Sequence, residues 1–219
     1  MPQLSTIQQI AVWIIPVLFA ITLHEAAHAY VAYLLGDNTA KQLGRVSINP
    51  LKHVDLFGTI IIPLVVLVVS NFSFVFGWAK PVPIDASHFS KPRCDIALAT
   101  AAGPLANLAM ALFWTGCLKV TLLFHPQTSI IALFIILAAR AGIIINLLLA
   151  FLNLIPIPPL DGSKIAASLL PIRQAILYEK IEPYGFFIIL ALMFSGALGW
   201  IISTPINWSL VMLSKVFNI

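Results

Sequence analysis

The chain has 219 residues, of which 60% are hydrophobic and 9% are charged, and its mean hydropathy is +1.01. Soluble domains carry about 25% charged residues, so this composition excludes an ordinary soluble protein and indicates an integral membrane protein. The net charge of +4 comes from few charges, and we interpret the basic residues as loop anchors, not as a patch that binds nucleic acid.

The first predicted helix lies in the apolar run from Ile10 to Leu35, which exceeds the roughly 20 residues that span a bilayer. Gly36 and the turn-forming residues after it are expected to end this helix. The run contains His24-Glu25-Ala26-Ala27-His28, which fits the pattern His-Glu-x-x-His. Because four residues turn a helix by about 400°, the two histidines project from nearly the same face.

Two polar stretches predict a small membrane-associated β element. Residues 44–50 place Val46 and Ile48 between polar neighbours, and residues 78–84 carry two prolines that confine a strand to a sheet edge. Between the two stretches, Leu56 to Phe76 is apolar and just long enough to cross the membrane.

The rest of the chain predicts further helices. Cys94 to Leu118, Thr128 to Ile155 and Tyr184 to Ser203 are apolar runs, whereas 163–183 is charged and suits the membrane interface. The final stretch, 205–219, is apolar but short for a crossing. Long apolar runs without alternation favour helices over a barrel, so we predict an all-α polytopic membrane protein with a helical core. It would form one domain over 1–219, with a core at about 10–170 and C-terminal spans at about 184–219.

The two histidines of the first helix are candidate zinc ligands. Imidazoles one helical turn apart can bind one ion at about 2.0–2.1 Å each, and Glu25 beside them can act as a general base toward water. The alternative is that His24, Glu25 and His28 only satisfy one another, since so short a motif often occurs by chance. Ionisable residues inside an apolar helix are costly and mark functional sites, which favours the metal site.

A third protein ligand is expected, because catalytic zinc sites commonly take three and leave the fourth position to water. Asp161 is the best candidate, since three prolines in the four positions 156–159 place it on irregular backbone beside a cavity. We therefore predict one zinc ion held by His24, His28 and Asp161. The other acids and histidines are expected to be solvated in loops or at helix ends: Asp37, Asp55, Asp85, Asp95, Glu179, Glu182, His53, His88 and His125.

Three motifs in this order resemble the site-2 protease family of intramembrane zinc metalloproteases, in its short prokaryotic form without a PDZ domain. They are the His-Glu-x-x-His run, the run Gly103-Pro104-Leu105-Ala106-Asn107, and the run from Asn153 to Gly162. One departure is Ser163, because many relatives have a second glycine after the Asp-Gly pair. Asn107 itself is interpreted as a hydrogen bond that packs helices together.

The resemblance implies that His24, His28 and Asp161 bind zinc, that Glu25 is the base, and that Asn153 steadies the oxyanion or the substrate. It also implies that the substrate is a transmembrane helix of another protein. Such a helix must unwind before it is cut, and an edge strand from 44–50 or 77–84 could hold the unwound segment.

The distribution of basic residues predicts the orientation. If 56–76 crossed the membrane, six basic residues would face four, which is a weak bias. If 56–76 instead returns to the same face of the membrane, nine basic residues lie on one side and only Lys119 lies on the other. We therefore predict that 56–76 does not cross, that the N-terminus is outside, and that the metal site lies nearer the cytoplasm of a multi-pass cell-membrane protein. The nine are Lys41, Arg45, Lys52, Lys80, Lys91, Arg93, Lys164, Arg173 and Lys180.

Together these features predict an intramembrane zinc metalloprotease that hydrolyses peptide bonds in or near transmembrane segments of membrane proteins. The first alternative is a non-proteolytic membrane zinc-binding protein or carrier, which would have no need of Glu25 as a base. The second is a scaffolding membrane protein whose polar residues only join helices. Zinc content separates the scaffold from the other two, and chelator-sensitive cleavage separates a protease from a carrier.

Overall fold

The computed structural model describes residues 5–53, 55–61, 65, 80–124 and 129–219. Its regular structure there is helical. Short 3-10 turns lie at Pro50–Lys52 and Ala86–His88, and a π-helical turn lies at Leu56–Ile61. The α-helices are α1 (Thr6–Leu34), α2 (Thr39–Gln42), α3 (Pro92–Leu123), α4 (Ile130–Asn153), α5 (Asp161–Leu169), α6 (Ile172–Glu179), α7 (Glu182–Phe194) and α8 (Ala197–Phe217).

The predicted first helix is confirmed as α1, with a defined cap at each end. Ser5 Oγ accepts a hydrogen bond from the Gln8 backbone N–H at 3.3 Å, and the Gln8 side chain accepts one from the Ser5 N–H at 2.9 Å. At the other end Gly36 has a φ of +112°, a conformation that is strained for any residue with a Cβ atom. The chain therefore turns sharply where α1 ends, and His28 lies less than two helical turns before this end.

Four helices among the described residues are long and apolar enough to cross a membrane: Ile7–Leu34 of α1, and all of α3, α4 and α8. The predicted all-α polytopic membrane fold is thereby confirmed. The α3–α4 interface is built around Ala111, Ala139 and Leu147, all nearly inaccessible to solvent. Small residues such as the two alanines let helix backbones approach closely, which is how helices associate in lipid.

The end of α1 meets the start of α3. The Asp85 backbone N–H donates to Asp37 Oδ2 at 2.8 Å, and Phe89 packs against Ala32 of α1. The chain between these points therefore begins and finishes at the same end of the helix bundle, as expected if 56–76 does not cross. Residues 62–64 and 66–79 of that segment lie outside the described residues.

The predicted β element is absent from the described residues. Residues 44–49 form turns and irregular backbone, and so do residues 80–84, while 78 and 79 lie outside the described residues. The reason is that the backbone donors of Lys80 and Val82 are used elsewhere. Lys80 N–H donates to His53 O at 3.0 Å, Val82 N–H donates to the Glu25 side chain, and Pro81 and Pro83 have no N–H to offer a sheet.

The predicted span from 184 to 203 is wrong as a single helix. The chain breaks at Gly196, whose φ is +76°, and this left-handed conformation cannot continue an α-helix. The result is the 13-residue α7, which is too short to cross a bilayer, followed by the 21-residue α8. The stretch from 205 onward, short on its own, is therefore the second part of a helix of spanning length.

Candidate metal centre

Three side chains from two distant parts of the chain meet at one point. α1 presents His24 and His28 one turn apart, and Asp161 is the first residue of α5, directly after the irregular segment 154–160. The two Nε2 atoms are 3.0 Å apart, and Asp161 Oδ2 lies 3.1 Å from Nε2 of His24 and 3.2 Å from Nε2 of His28. The predicted convergence of these three residues is therefore found.

The size of this triangle suits zinc. Ligand atoms about 2.05 Å from a tetrahedral ion lie about 3.3 Å from one another, close to the observed edges of 3.0 to 3.2 Å. Both histidines are buried, and Asp161 is only partly exposed. These residues form the one cluster of metal-binding type among the residues that the structure describes.

The hydrogen bonds behind the rings show that the three atoms are all acceptors. His28 Nδ1 lies 2.8 Å from the main-chain carbonyl of Ala99, and His24 Nδ1 lies 2.6 Å from Asn107 Oδ1. Both partners accept, so each Nδ1 carries the proton in the neutral ring, and each Nε2 is a bare lone pair. Asp161 Oδ2 is likewise buried without a hydrogen-bond donor among the described residues. Three buried acceptors in contact repel unless a cation lies between them, so the donor set fits zinc.

Two glycines make room for this cluster. A Cβ on Gly103 of α3 would lie 2.2 Å from His28 Nε2 and 2.8 Å from His24 Cε1, which would drive a methyl group into both imidazole rings. A Cβ on Gly162 would lie 2.3 Å from the carbonyl oxygen of Leu154, so glycine lets the start of α5 pack against the end of α4. Asp161 is held in place by that close approach.

Ser163 stands where the resemblance implies a second glycine, and the turn that precedes α5 accommodates it. Its Oγ donates to the carbonyl oxygen of Leu160 at 2.7 Å, which closes the turn around Asp161. The hydroxyl is therefore satisfied locally, and the side chain is buried without displacing the carboxylate.

Glu25 is half-buried beside the cluster. Its Oε2 accepts a hydrogen bond from the Val82 backbone N–H at 3.1 Å, so the segment 80–84 lies against the side chain. Val82 and Lys80 each precede a proline, which biases both toward an extended conformation. The Glu25 carboxylate is thus oriented by the backbone N–H of a residue that lies 57 positions later in the chain.

Asn153 is the last residue of α4, and its side chain is turned toward its own helix. Its Nδ2 donates to the carbonyl oxygen of Leu149 at 3.0 Å. No hydrogen bond among the described residues joins it to His24, His28 or Asp161, so its expected role toward oxyanion or substrate stays a prediction.

Several polar residues expected to be solvated are instead buried, and they hold the loops at this end of the bundle. His53 is 2% exposed, and its Nε2 donates to the carbonyl oxygen of Ser47 at 2.8 Å. Asp95 accepts the Lys91 N–H at 2.7 Å at the start of α3. His88 is exposed, as expected, and His125 lies outside the described residues.

Asp37 is also buried, at the junction of α1 and α3. Its two carboxylate oxygens accept backbone N–H groups of Thr39 and Asp85, and His88 Nδ1 lies 3.2 Å away. Burial alone would raise the pKa of Asp37, but the hydrogen bonds from Thr39, Asp85 and His88 outweigh it and hold the pKa below its usual value. The charged form of Asp37 therefore stabilises the folded protein.

Two asparagines contribute to the site beyond what the sequence indicated. Asn107 does join helices, as expected, because its Nδ2 donates to Ala20 O on α1 and to Asn146 Oδ1 on α4. Its Oδ1 also contacts His24, which the sequence analysis missed. The signal available in the sequence was an asparagine at 146 inside an apolar run, because a polar side chain there needs a partner.

Comparison with known proteins agrees with this geometry. The family model described as peptidase family M50 matches residues 119–196. YwhC of Bacillus subtilis (strain 168), described as a "Putative zinc metalloprotease", is 36% identical over 208 residues, which covers 94% of this chain and 90% of that protein. Rip2 of Mycolicibacterium smegmatis, with the same description, is 27% identical over 186 residues, covering 83% of this chain and 66% of that protein. No solved structure matches.

Proposed function

Because the chain belongs to peptidase family M50, the family of the site-2 proteases, we propose that it is an active zinc endopeptidase that cuts peptide bonds in or near transmembrane segments of other membrane proteins. The observation that carries the proposal is the contact of His24 Nε2, His28 Nε2 and Asp161 Oδ2, three acceptors with no donor between them. Four helices of spanning length place this cluster in a multi-pass membrane protein. The substrate would therefore be membrane-embedded.

His24, His28 and Asp161 would hold the metal ion. Bound there, zinc supplies Lewis acidity, which polarises a peptide carbonyl and lowers the pKa of water to about 7. Glu25 follows His24 directly in the chain and is the nearest candidate base. It would take a proton from the attacking water and give it to the departing amine, so one carboxylate serves both proton transfers.

Asn153 is proposed as a second polar contact to the substrate. Its amide now donates to Leu149 O, within its own helix. A rotation of the side chain would free Nδ2 to donate to the oxyanion or to the substrate backbone, and donors placed there stabilise the charge that develops.

The segment 80–84 is proposed to hold the unwound substrate. The N–H groups of Lys80 and Val82 are used by His53 O and Glu25, on one edge of the segment. In extended backbone the carbonyls of Pro81 and Pro83 point to the other edge, so that edge offers acceptors and no donors. It could bind the N–H groups that a substrate helix exposes when it unwinds, in the manner of strand addition.

The orientation is proposed from charge. The loops at the metal-site end of the bundle carry most of the basic residues, whereas Lys119 lies near the far end of α3, where its Nζ donates to Asn218 O at 3.0 Å. Basic loops favour the cytoplasmic side, so the metal site would lie nearer the cytoplasm.

The experiment that tests the function combines zinc analysis with a cleavage assay. Purified protein is assayed for zinc and is incubated with a membrane protein that has a single transmembrane helix, with and without a chelator. We expect one zinc ion per chain and cleavage that the chelator abolishes. Glu25→Gln should retain zinc and lose cleavage, whereas Glu179→Gln, at an exposed acid of α6, should match the native protein.

Three outcomes would count against the proposal. Protein without zinc would favour a scaffold. Protein with zinc but no cleavage of any membrane substrate would favour a carrier or other zinc-binding protein. Normal cleavage by the Glu25→Gln variant would show that another group is the base.

A further inference from the structure

Two fully buried asparagines form a hydrogen-bonded pair between the middle parts of α3 and α4. Asn107 Nδ2 donates to Asn146 Oδ1 at 2.9 Å, and neither residue has measurable exposure. The pair continues to the metal centre, because Asn107 Oδ1 lies 2.6 Å from His24 Nδ1. Asn146 is thus two hydrogen bonds away from a candidate zinc ligand.

The direction of every bond in this chain is fixed by main-chain carbonyls. Asn146 Nδ2 donates to the carbonyl oxygen of Gly142 at 2.8 Å, so Asn146 Oδ1 must face Asn107. Asn107 Nδ2 donates to the carbonyl oxygen of Ala20 at 3.1 Å as well as to Asn146, so Asn107 Oδ1 must face His24. Carbonyl oxygens only accept, which means that neither amide can turn over without losing a buried hydrogen bond.

The orientation of Asn107 decides the tautomer of His24. With Oδ1 facing the ring, Nδ1 carries the proton and Nε2 presents a lone pair toward His28 and Asp161. If the amide turned over, an N–H would face Nδ1, the proton would move to Nε2, and the ligand atom would be blocked. The tautomer of His28 does not depend on a side-chain amide. Its Nδ1 faces the main-chain carbonyl of Ala99, which cannot turn over.

We propose that Asn146 is a positioning residue for the metal centre, which acts through Asn107 to hold His24 in the tautomer that binds zinc. This inference rests on the proposed zinc site and adds to it a specific dependence on a residue of α4. A role limited to joining α3 and α4 predicts a different result. Loss of Asn146 would then weaken the packing of the two helices but leave the His24 ring unchanged.

The test uses Asn146→Leu, which removes both hydrogen bonds of this side chain at similar volume. Asn146→Asp is the conservative variant, because its carboxyl group can still accept from Asn107 Nδ2 and donate to Gly142 O. Thr115→Val is the matched control. Thr115 is also fully buried on α3, but its hydroxyl donates only to Ala111 O of its own helix.

Two quantities are measured in detergent-purified protein. Zinc affinity is obtained by competition with a chelator of known affinity, and the ring tautomers of the zinc-free protein are obtained from 15N chemical shifts of labelled histidine. We expect Asn146→Leu to weaken zinc binding about 10- to 100-fold, the range found when a group behind a metal ligand is lost. His24 should become a mixture of tautomers, because only Ala20 O would then oppose a turn of the Asn107 amide, while Asp161 Oδ2 can accept from a protonated His24 Nε2. His28 should keep its proton on Nδ1. Asn146→Asp should keep both properties near their native values, and Thr115→Val should change neither.

Unchanged tautomers of His24 in Asn146→Leu would overturn the inference, whether or not zinc binding falls, because the effect would then be structural. Unchanged zinc affinity would overturn it as well. The tautomer measurement needs no metal, so it tests the asparagine pair independently. Failure of the native protein to bind zinc would instead overturn the proposed function.

Discussion

The backbone N–H of Val82 donates a hydrogen bond of 3.1 Å to Glu25 Oε2, across 57 residues of sequence. Val82 lies between Pro81 and Pro83, so its N–H is the single backbone donor of that tripeptide. The candidate base is therefore oriented by one main-chain group, and this group can be removed by substitution.

We expect Val82→Pro to retain zinc and to lower kcat at least about 10-fold, because a hydrogen bond to a charged group contributes about 1.5–3 kcal/mol. The new proline lies between two prolines, in backbone already biased toward its φ. Cleavage rate and zinc content are measured together. Val82→Ala keeps the N–H and should remain near the native rate, so equal losses in both variants would contradict the role of the N–H.

Asp161→Asn should weaken zinc binding by more than about 100-fold, since a direct ligand contributes more than the groups behind it. The amide also removes the negative charge that the ion would neutralise. Competition with a chelator measures the affinity. Asp95→Asn is the matched control at another buried acid, which accepts only the Lys91 N–H near the start of α3. It should lower thermal stability and leave zinc affinity unchanged; zinc loss in both variants would show that the assay reports folding.

Gly103→Ala should abolish zinc binding, because the added Cβ would lie 2.2 Å from His28 Nε2. Gly116→Ala is the control on the same helix, where the nearest atom to an added Cβ is Phe217 Cε1 at 3.9 Å. Alanine is favoured over glycine inside a helix by about 1 kcal/mol, so the control should be as stable as the native protein or more so. Zinc bound normally by Gly103→Ala would contradict the positions given for the two rings.

Asp37→Asn should lower the free energy of unfolding by about 1–3 kcal/mol at neutral pH. The two carboxylate oxygens accept separate N–H groups, and an amide keeps only one acceptor oxygen. The folded protein lowers the pKa of Asp37, so its stabilisation is full above the unfolded pKa of about 3.9 and is lost as pH falls through the lower folded value.

The stability difference between native protein and Asp37→Asn should therefore shrink below about pH 4. Thermal unfolding in detergent micelles, followed from about pH 3 to about pH 7, measures it. Glu182→Gln replaces an exposed acid at the start of α7 and should show no such trend. A constant difference across this range would mean that the Asp37 charge does not contribute.

Single cysteines at Asn38 and Ser90 should be labelled from the same side of the membrane, and we expect that side to be the cytoplasm. Both side chains are exposed, on either side of the Asp37–Asp85 contact. A cysteine at Ser129, at the start of α4, should be labelled from the opposite side. Both native cysteines, the exposed Cys94 and the partly buried Cys117, are first replaced by serine and alanine, respectively. Labelling of Asn38→Cys and Ser90→Cys from opposite faces would contradict the return of the intervening chain.

The sequence was sufficient to predict which three side chains of metal-binding type meet, because their signals are local. His24 and His28 follow from helical spacing alone, and Asp161 follows from a run of prolines that forces an acid onto irregular backbone. The first helix was predictable for the same reason, since Gly36 ends it through its own conformation.

The features that could not be predicted depend on partners far away in the chain. The 80–84 segment has the composition of an edge strand, but its donors bond to Glu25 and His53, which no local pattern reveals. The break at Gly196 needs a left-handed φ that glycine permits but does not require. Asn146 shows the same limit. A polar residue in an apolar helix indicates that a partner exists, but the sequence does not show that the partner is Asn107.

The shortness of α7 has a consequence for the number of crossings. Thirteen residues rise about 20 Å, whereas the hydrocarbon layer is about 30 Å thick, so α7 does not carry the chain to the other face. Gly185 in the first turn of α7 packs directly against Pro158, three residues before Asp161, and α8 ends beside Lys119 at the far end of α3. The chain from Pro158 to the end of α8 therefore makes a single crossing, through α8, and its two ends belong to opposite faces of the membrane.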